Sequence, residues 1–195
     1  TEISADAVEA EILEEREETT ELPAKIWLFQ GLPKSDKMEL IIQKAVELGA
    51  YQIVPVATKR AVVKLDKKKE EAKLKRWNAI SESAAKQSKR LIIPEIAPVM
   101  SFDEALAFVK DFDSRCIPYE CASGMDSVRQ FVSQTGPGQK IAVFIGPEGG
   151  FEEIEIEKAR EAGVVPVSLG KRILRTETAG LALLSVLAFH LEGGL

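Results

Sequence analysis

The sequence predicts an α/β domain: a mostly parallel sheet with helices on both faces. Three observations carry that expectation. From Lys25 onward, short apolar runs alternate with helical patterns, the order that produces parallel strands joined by helical crossovers. The run Ile141 to Ile145 is apolar throughout rather than alternating, as a strand covered on both faces must be. Two strands, ending at Ile145 and Leu169, pass through glycine into helix starts, the usual ligand position in such a sheet.

Near the start, Val8, Ala10 and Ile12 alternate with Glu9 and Glu11, which predicts a half-buried strand after a turn at Ser4-Ala5-Asp6. A lone hairpin is marginal in water, and the sequence begins without Met. Residues 1–22 are therefore expected to be the tail of a preceding β domain followed by a solvated linker from Glu14 to Glu21, with the main domain over 23–195. That domain opens as a βαβ unit: strand Ile26 to Gln30, helix Asp36 to Leu48, strand Ile53 to Val56. Ser35 is the expected N-cap, Met38, Ile41, Ile42 and Ala45 form the apolar face, and Gly49 stops the helix. A long basic helix over Lys67 to Lys89 follows, then a weak strand Ile92 to Ile96, a helix from Phe102, a strand Cys116 to Cys121 and a helix near Met125 to Ser133. Beyond strand Ile141 to Ile145 come a helix Glu152 to Ala162, a strand Val165 to Leu169 and a last helix from about Thr178 to Leu191.

At 195 residues and 45% hydrophobic content the chain can bury a substantial core. No run approaches the roughly 20 apolar residues of a membrane span, so a cytoplasmic protein with no membrane partner is expected. Cys116 and Cys121 have no companion Cys or His cluster, which points to two buried thiols and to no metal. The single histidine, His190, lies at the far end of the last helix and reads as structural, excluding a Ser-His triad. Net charge is −5, but its distribution matters more: residues 1–22 hold nine acids and one Arg, whereas residues 59–90 hold twelve Lys or Arg against four acids. The second stretch is either a phosphate-facing surface or an ordinary solvated helix face, and mixed charges at Lys67 to Arg76 favour the latter. Within it Arg60, Gln87 and Arg90 stand out, because Arg and Gln make directional hydrogen bonds to phosphates and base edges; salt bridging or carbonyl capping would explain them equally well.

The glycine loops carry the chemistry. Gly146-Pro-Glu-Gly-Gly150 fits neither the phosphate-binding nor the dinucleotide pattern and places Glu148 where a phosphate would be repelled, which predicts a ligand that is uncharged or cationic there. If the strands ending at Ile145 and Leu169 lie side by side, Gly146–Gly150 and Gly170–Thr178 wall one pocket. Thr176, Glu177 and Thr178 also suit helix capping, expected for one of the threonines. The last helix is apolar nearly all round and should be buried on more than one side, by this chain or by a second copy.

The combination of Lys44-Ala-Val-Glu-Leu-Gly49, Pro55, Arg60, Gln87-Ser88, Arg90, Gly146-Pro-Glu-Gly-Gly150, Leu169-Gly170 and Ile173-Leu-Arg-Thr-Glu-Thr-Ala179 resembles the RsmE family, ribosomal RNA methyltransferases that modify N3 of a uridine in small-subunit (16S) RNA. The resemblance runs from about residue 25 to the end. It implies a SPOUT-class fold with a C-terminal trefoil knot binding S-adenosylmethionine, a homodimer through the last helix, and an N-terminal PUA-like β-barrel of which residues 1 to about 20 would be the last strands. Two positions depart from the family pattern: Lys86 stands where an acid is common and Lys89 where a small residue is. The added charge favours RNA phosphate contact over base readout.

By that resemblance, backbone groups of Gly146, Gly149, Leu169, Gly170 and Leu174 hold the cofactor, with Ile145 and Ile173 beside its adenine and Glu148 at its wall. Arg175, with Arg60 or Arg90 of a second subunit, orients the uracil and stabilises charge developing on it, while Glu148 or Glu177 takes the N3 proton. Arg60, Lys86, Gln87, Lys89 and Arg90 are the expected RNA contacts, and no metal is required. Two other readings compete: a non-catalytic RNA-binding α/β domain, and a Rossmann-type enzyme on a nucleotide cofactor.

Overall fold

A computed structural model describes residues 2–4, 6–15, 19–119 and 124–194. Strand β3 (Lys25–Gly31) leads into helix α1 (Lys37–Glu47) and strand β4 (Gln52–Ala57), after which the long helix α2 (Lys67–Gln87) crosses to two short strands, β5 (Glu95–Ile96) and β6 (Met100–Ser101). Helix α3 (Phe102–Phe108), strand β7 (Ser114–Pro118), helix α4 (Asp126–Ser133) and strand β8 (Lys140–Ile145) follow. Helix α5 (Glu153–Glu161), strand β9 (Val165–Val167) and helix α6 (Thr176–Leu191) complete the domain. Ahead of it, β1 (Glu2–Ile3) and β2 (Val8–Glu9) form a separate antiparallel pair.

The main sheet runs β5-β4-β3-β8-β7-β9, with β6 also on β4, and every pairing in it is parallel. Because side chains alternate across a strand, the sheet sorts its apolar residues into two layers. Ile26, Leu28, Ile141, Val143 and Cys116 join a core with α1, α2, α4 and α6. Trp27, Phe29, Ala142, Phe144 and Ile117 join another with α3 and α5. Phe29 stacks on Phe144 with ring centroids 4.5 Å apart. Full burial of each such side chain contributes about 1.5–3 kcal/mol, so the central strands β3 and β8 anchor both layers.

Several local expectations are corrected. Ser35 does not cap α1: it adopts φ 58°, and Asp36 occupies the cap position without a side-chain cap hydrogen bond, leaving its charge near the helix N-terminus as its contribution. The alternating segment after Ala7 is not half-buried, since Val8 and Ile12 are 66% and 87% exposed; a hairpin of two-residue strands has no layer beneath it. The Ile92–Ile96 strand shrinks to Glu95–Ile96, and β6 was not foreseen. The Cys116–Cys121 strand is found at Ser114–Pro118; Cys121 and the centres of both the Ser4–Asp6 turn and the Glu14–Glu21 linker fall outside the described residues. Cys116 is buried, which pushes its thiol pKa well up. His190 sits 3.1 Å from the Thr135 carbonyl, the structural position its placement suggested.

Candidate active site

Three loops leave the carboxyl ends of β8, β7 and β9 and enclose a cavity of about 470 Å³. Its walls are Gly146–Phe151 after β8, Ser168–Thr176 after β9, and Pro118 with Tyr119 after β7. The two glycine loops do face one pocket, but not because their strands are neighbours: β7 lies between β8 and β9, and its end supplies the third wall. A cavity of this size falls within the range of about 300–1,000 Å³ usual for small-molecule sites.

All of the expected cofactor contacts line it: Ile145, Gly146, Glu148 and Gly149 on one side, Leu169, Gly170, Ile173 and Leu174 on the other, with Arg175 and Arg60 at the wall. The backbone groups of Leu169 and Leu174 make no hydrogen bond among the described residues, which leaves them free for a ligand. The carbonyls of Gly146 and Gly149 are already engaged, by the Thr176 hydroxyl at 2.6 Å and by Arg60 Nη1 at 3.0 Å. Thr176 is thus not a cap, and α6 begins two residues earlier than expected; Arg175 occupies the cap position without a side-chain bond. The glycine loop presses closely on β3, where a Cβ at Gly31 would lie 2.7 Å from Pro147 N.

The charge of the site differs from the reading that Glu148 alone implies. Glu148 accepts from the Lys34 amide at 3.1 Å and is 3.0 Å from Lys37 Nζ, which also lies 3.3 Å from Glu177. Burial acts to raise the Glu148 pKa, but the hydrogen bond and charge of Lys37 and the backbone N–H groups outweigh it and hold the carboxyl below its ordinary value. The Lys37 ammonium is correspondingly raised, chiefly by its hydrogen bond to Glu148. With Glu148 offset, the remaining charges at the wall are Arg60, Lys171, Arg172 and Arg175, so the cavity rim is cationic rather than hostile to phosphate. Glu177 does not line the cavity; it serves the Lys37 clasp.

The sequence profile of the RNA methyltransferase domain family matches residues 20–188. Ribosomal RNA small subunit methyltransferase E of Bacillus subtilis (strain 168) is 42% identical over 97% of this chain and 75% of its own length. The chain belongs to that family. Among solved structures, ribosomal RNA small subunit methyltransferase E from Neisseria gonorrhoeae bound to S-adenosyl methionine superposes with a TM-score of 0.75 at 37% identity, covering 85% of this chain and 66% of that one. A Legionella pneumophila methyltransferase in complex with the bound cofactor SAM gives a TM-score of 0.80 at 38% identity, covering 87% of this chain and 67% of that one.

The expected RNA contacts of this methyltransferase E family member separate in space. Arg60 is exposed and bonded to the glycine loop. Gln87, Lys86 and Lys89 are exposed around the end of α2, away from the cavity, with Lys86 paired to Glu82 at 2.6 Å and Lys89 at φ 59°. Arg90 is corrected outright: its side chain is 4% exposed and faces inward, donating to the Val46 carbonyl at 3.1 Å, to the Ala50 carbonyl at 2.6 Å, and to both oxygens of Glu21. A guanidinium this buried, bonded to two interior carbonyls and a carboxylate, is turned away from RNA. Sequence reasoning passed over Lys37, although a cation at the positive end of a helix is disfavoured unless something compensates it. It passed over Gln30 too, a polar residue closing an otherwise apolar strand.

Proposed function

We propose that this chain transfers the methyl group of S-adenosylmethionine to N3 of a uridine in small-subunit ribosomal RNA. The observation that carries the reading is the cavity itself, walled by the two glycine loops with free backbone groups at Leu169 and Leu174 and apolar surface at Ile145 and Ala179. Those donors, acceptors and apolar atoms suit a nucleoside joined to an amino acid, and the solved relatives from Neisseria gonorrhoeae and Legionella pneumophila hold S-adenosylmethionine. S-adenosylmethionine supplies an electrophilic methyl on a sulfonium.

The chain's own residues supply placement and charge. Arg175, exposed at the cavity wall, orients the uracil and stabilises the negative charge that grows on it as the N3 proton leaves. Glu148 and Glu177 are the expected proton acceptors, but the Glu148 carboxyl is held below its ordinary pKa, which makes it a weak base, and Glu177 does not line the cavity. Both are assigned to fixing Lys37, and the N3 proton passes to solvent. Fixing donor and acceptor in line is worth roughly 7–11 kcal/mol of the barrier.

The cationic rim forms the RNA-facing side, and the exposed α2 lysines Lys67, Lys68 and Lys75 belong to the basic 59–90 stretch whose part in RNA contact the salt dependence tests. Val186 and Phe189, 43% and 56% exposed on α6, support a homodimer through that helix. A trefoil knot is supported by the path of α6: after β9 at the sheet edge it returns to pack on β8 and α1 at the centre. Residues 1–22 are read as part of an RNA-binding β domain and its linker, 23–195 as the methyltransferase domain, and a ribosomal substrate makes the cytoplasm its workplace.

Calorimetric titration of the chain with S-adenosylmethionine, NAD and ATP tests the reading, followed by mass spectrometry of 30S RNA for N3-methyluridine. Binding of S-adenosylmethionine alone is expected. Binding of a nucleotide cofactor alone sinks the proposal in favour of the Rossmann-type enzyme, and binding of none favours the RNA-binding module.

A further inference from the structure

We propose that Gln30 is a positioning residue for the methyl transfer, acting through the Thr176 hydroxyl to fix the first peptide of the glycine loop; this rests on the S-adenosylmethionine reading of the cavity. Gln30 is fully buried near the end of β3, paired with Pro55 on β4 and Ile145 on β8. Leu28 and Ile145 are its apolar neighbours around Gly180, surroundings in which an apolar side chain is the default. Its Nε2 donates to the Gly31 carbonyl at 3.0 Å and to Thr176 Oγ1 at 2.9 Å, while its Oε1 makes no hydrogen bond among the described residues. Turning the amide over would set its oxygen against the Gly31 carbonyl, so the donor must face Thr176.

That orientation gives the network a direction. A hydroxyl has one proton; having accepted from Gln30, Thr176 spends its own on the Gly146 carbonyl, 2.6 Å away. The peptide being held is Gly146-Pro147, which has no N–H, so its carbonyl is the only polar handle by which its plane can be fixed. This peptide is the point where β8 ends and the cavity wall begins, and Thr176 is the point where the second wall, 168–175, enters α6. One buried amide therefore sets both walls relative to the central strand.

The unpaired Oε1 separates this role from a stabilising one. A buried acceptor without a partner opposes folding, so a residue selected for stability alone would be apolar here. Gln30→Met keeps the length of the side chain and removes both the donor and the orphan oxygen.

The test measures thermal midpoint and S-adenosylmethionine Kd for the full chain and for Gln30→Met, Thr176→Val, Thr176→Ser and the Gln30→Met/Thr176→Val double variant. Gln30→Met and Thr176→Val are each expected to weaken cofactor binding about tenfold, the loss of one hydrogen bond's net worth. The double variant should be no worse than either single one, because both cut the same relay. Thr176→Ser should bind nearly as the parent does, and Gln30→Met should melt no lower than the parent. Parent-like affinity in Gln30→Met overturns the proposal, as does a loss of affinity that merely follows a fallen midpoint, or additive losses in the double variant. If the parent itself fails to bind S-adenosylmethionine, the methyl-donor reading falls and takes this proposal with it; parent binding with an indifferent Gln30→Met refutes the positioning role alone.

Discussion

Arg175 and Arg90 are the same residue type put to opposite uses by their surroundings. Arg175 stands exposed at the cavity wall, and Arg175→Ala is expected to lower methyl transfer by about 10²–10³, the usual cost of removing one fixed donor from a charge-stabilising site, with cofactor affinity unchanged by calorimetry. Equal losses of both would move Arg175 into the cofactor site. Arg90 is buried against Glu21, and Arg90→Ala is expected to cost about 3–5 kcal/mol in a urea unfolding experiment, because it strands a carboxylate that is itself only 15% exposed. The same pair gives a pH dependence. Burial tends to raise the Glu21 pKa, but the hydrogen bond and charge of Arg90 and the amides of Ile92 and Leu91 bring it below the ordinary value. A depressed folded pKa means that the stabilisation is complete above the unfolded glutamate value, about 4.3, and is lost as pH falls through the lower folded value. In Arg90→Ala the stability difference from the parent should therefore shrink on acidification; a constant difference down to full protonation would refute the assignment. The local sequence does not show that Arg90 turns inward, since its partners lie 40 to 69 residues away in the chain.

At the level of elements, the helix and strand types were legible because each carries its period locally. The ends were not, where tertiary contacts compete with caps: Thr176 gives its hydroxyl to Gly146 rather than to α6, and Ser35 takes a left-handed turn before α1. Helix α6 shows what periodicity alone leaves undecided. It buries Gly180, Leu183, Leu184 and Leu187 inward, yet Val186 and Phe189 remain exposed, with Leu40 of α1 also 45% exposed. If a second copy covers this face, Val186→Asp with Phe189→Asp should leave a folded monomer by sedimentation while lowering methyl transfer. A parent chain that sediments as a monomer would remove the basis for the dimer. A stable interface requires about 1,200–2,000 Å² of buried surface, more than these two side chains supply, so neighbouring loops must take part.

Across the whole molecule, the acidic first segment and the basic 59–90 stretch cancel in the net charge of −5, which hides a charge separation that matters for RNA. RNA affinity is expected to fall steeply between about 50 and 200 mM salt, with Lys67→Ala and Lys75→Ala each reducing the logarithmic slope by roughly one unit. Cofactor affinity should vary little over that range, since its contacts are short-range hydrogen bonds and apolar surface. A slope that both lysine variants leave intact would place the RNA elsewhere.

The sequence by itself determined the parallel α/β class and the two glycine loops, because apolar periodicity and glycine spacing act over a few residues and survive reading in one dimension; the cofactor class came only with the family resemblance those motifs carry. Tertiary structure alone decided that β7 lies between β8 and β9, that Lys37 offsets Glu148, that Arg90 turns inward, and that Gln30 reaches Thr176 across 146 residues of chain. Those facts depend on strand order and on hydrogen bonds between distant segments. A linear pattern records which donors and acceptors exist, but only folding decides which of them meet.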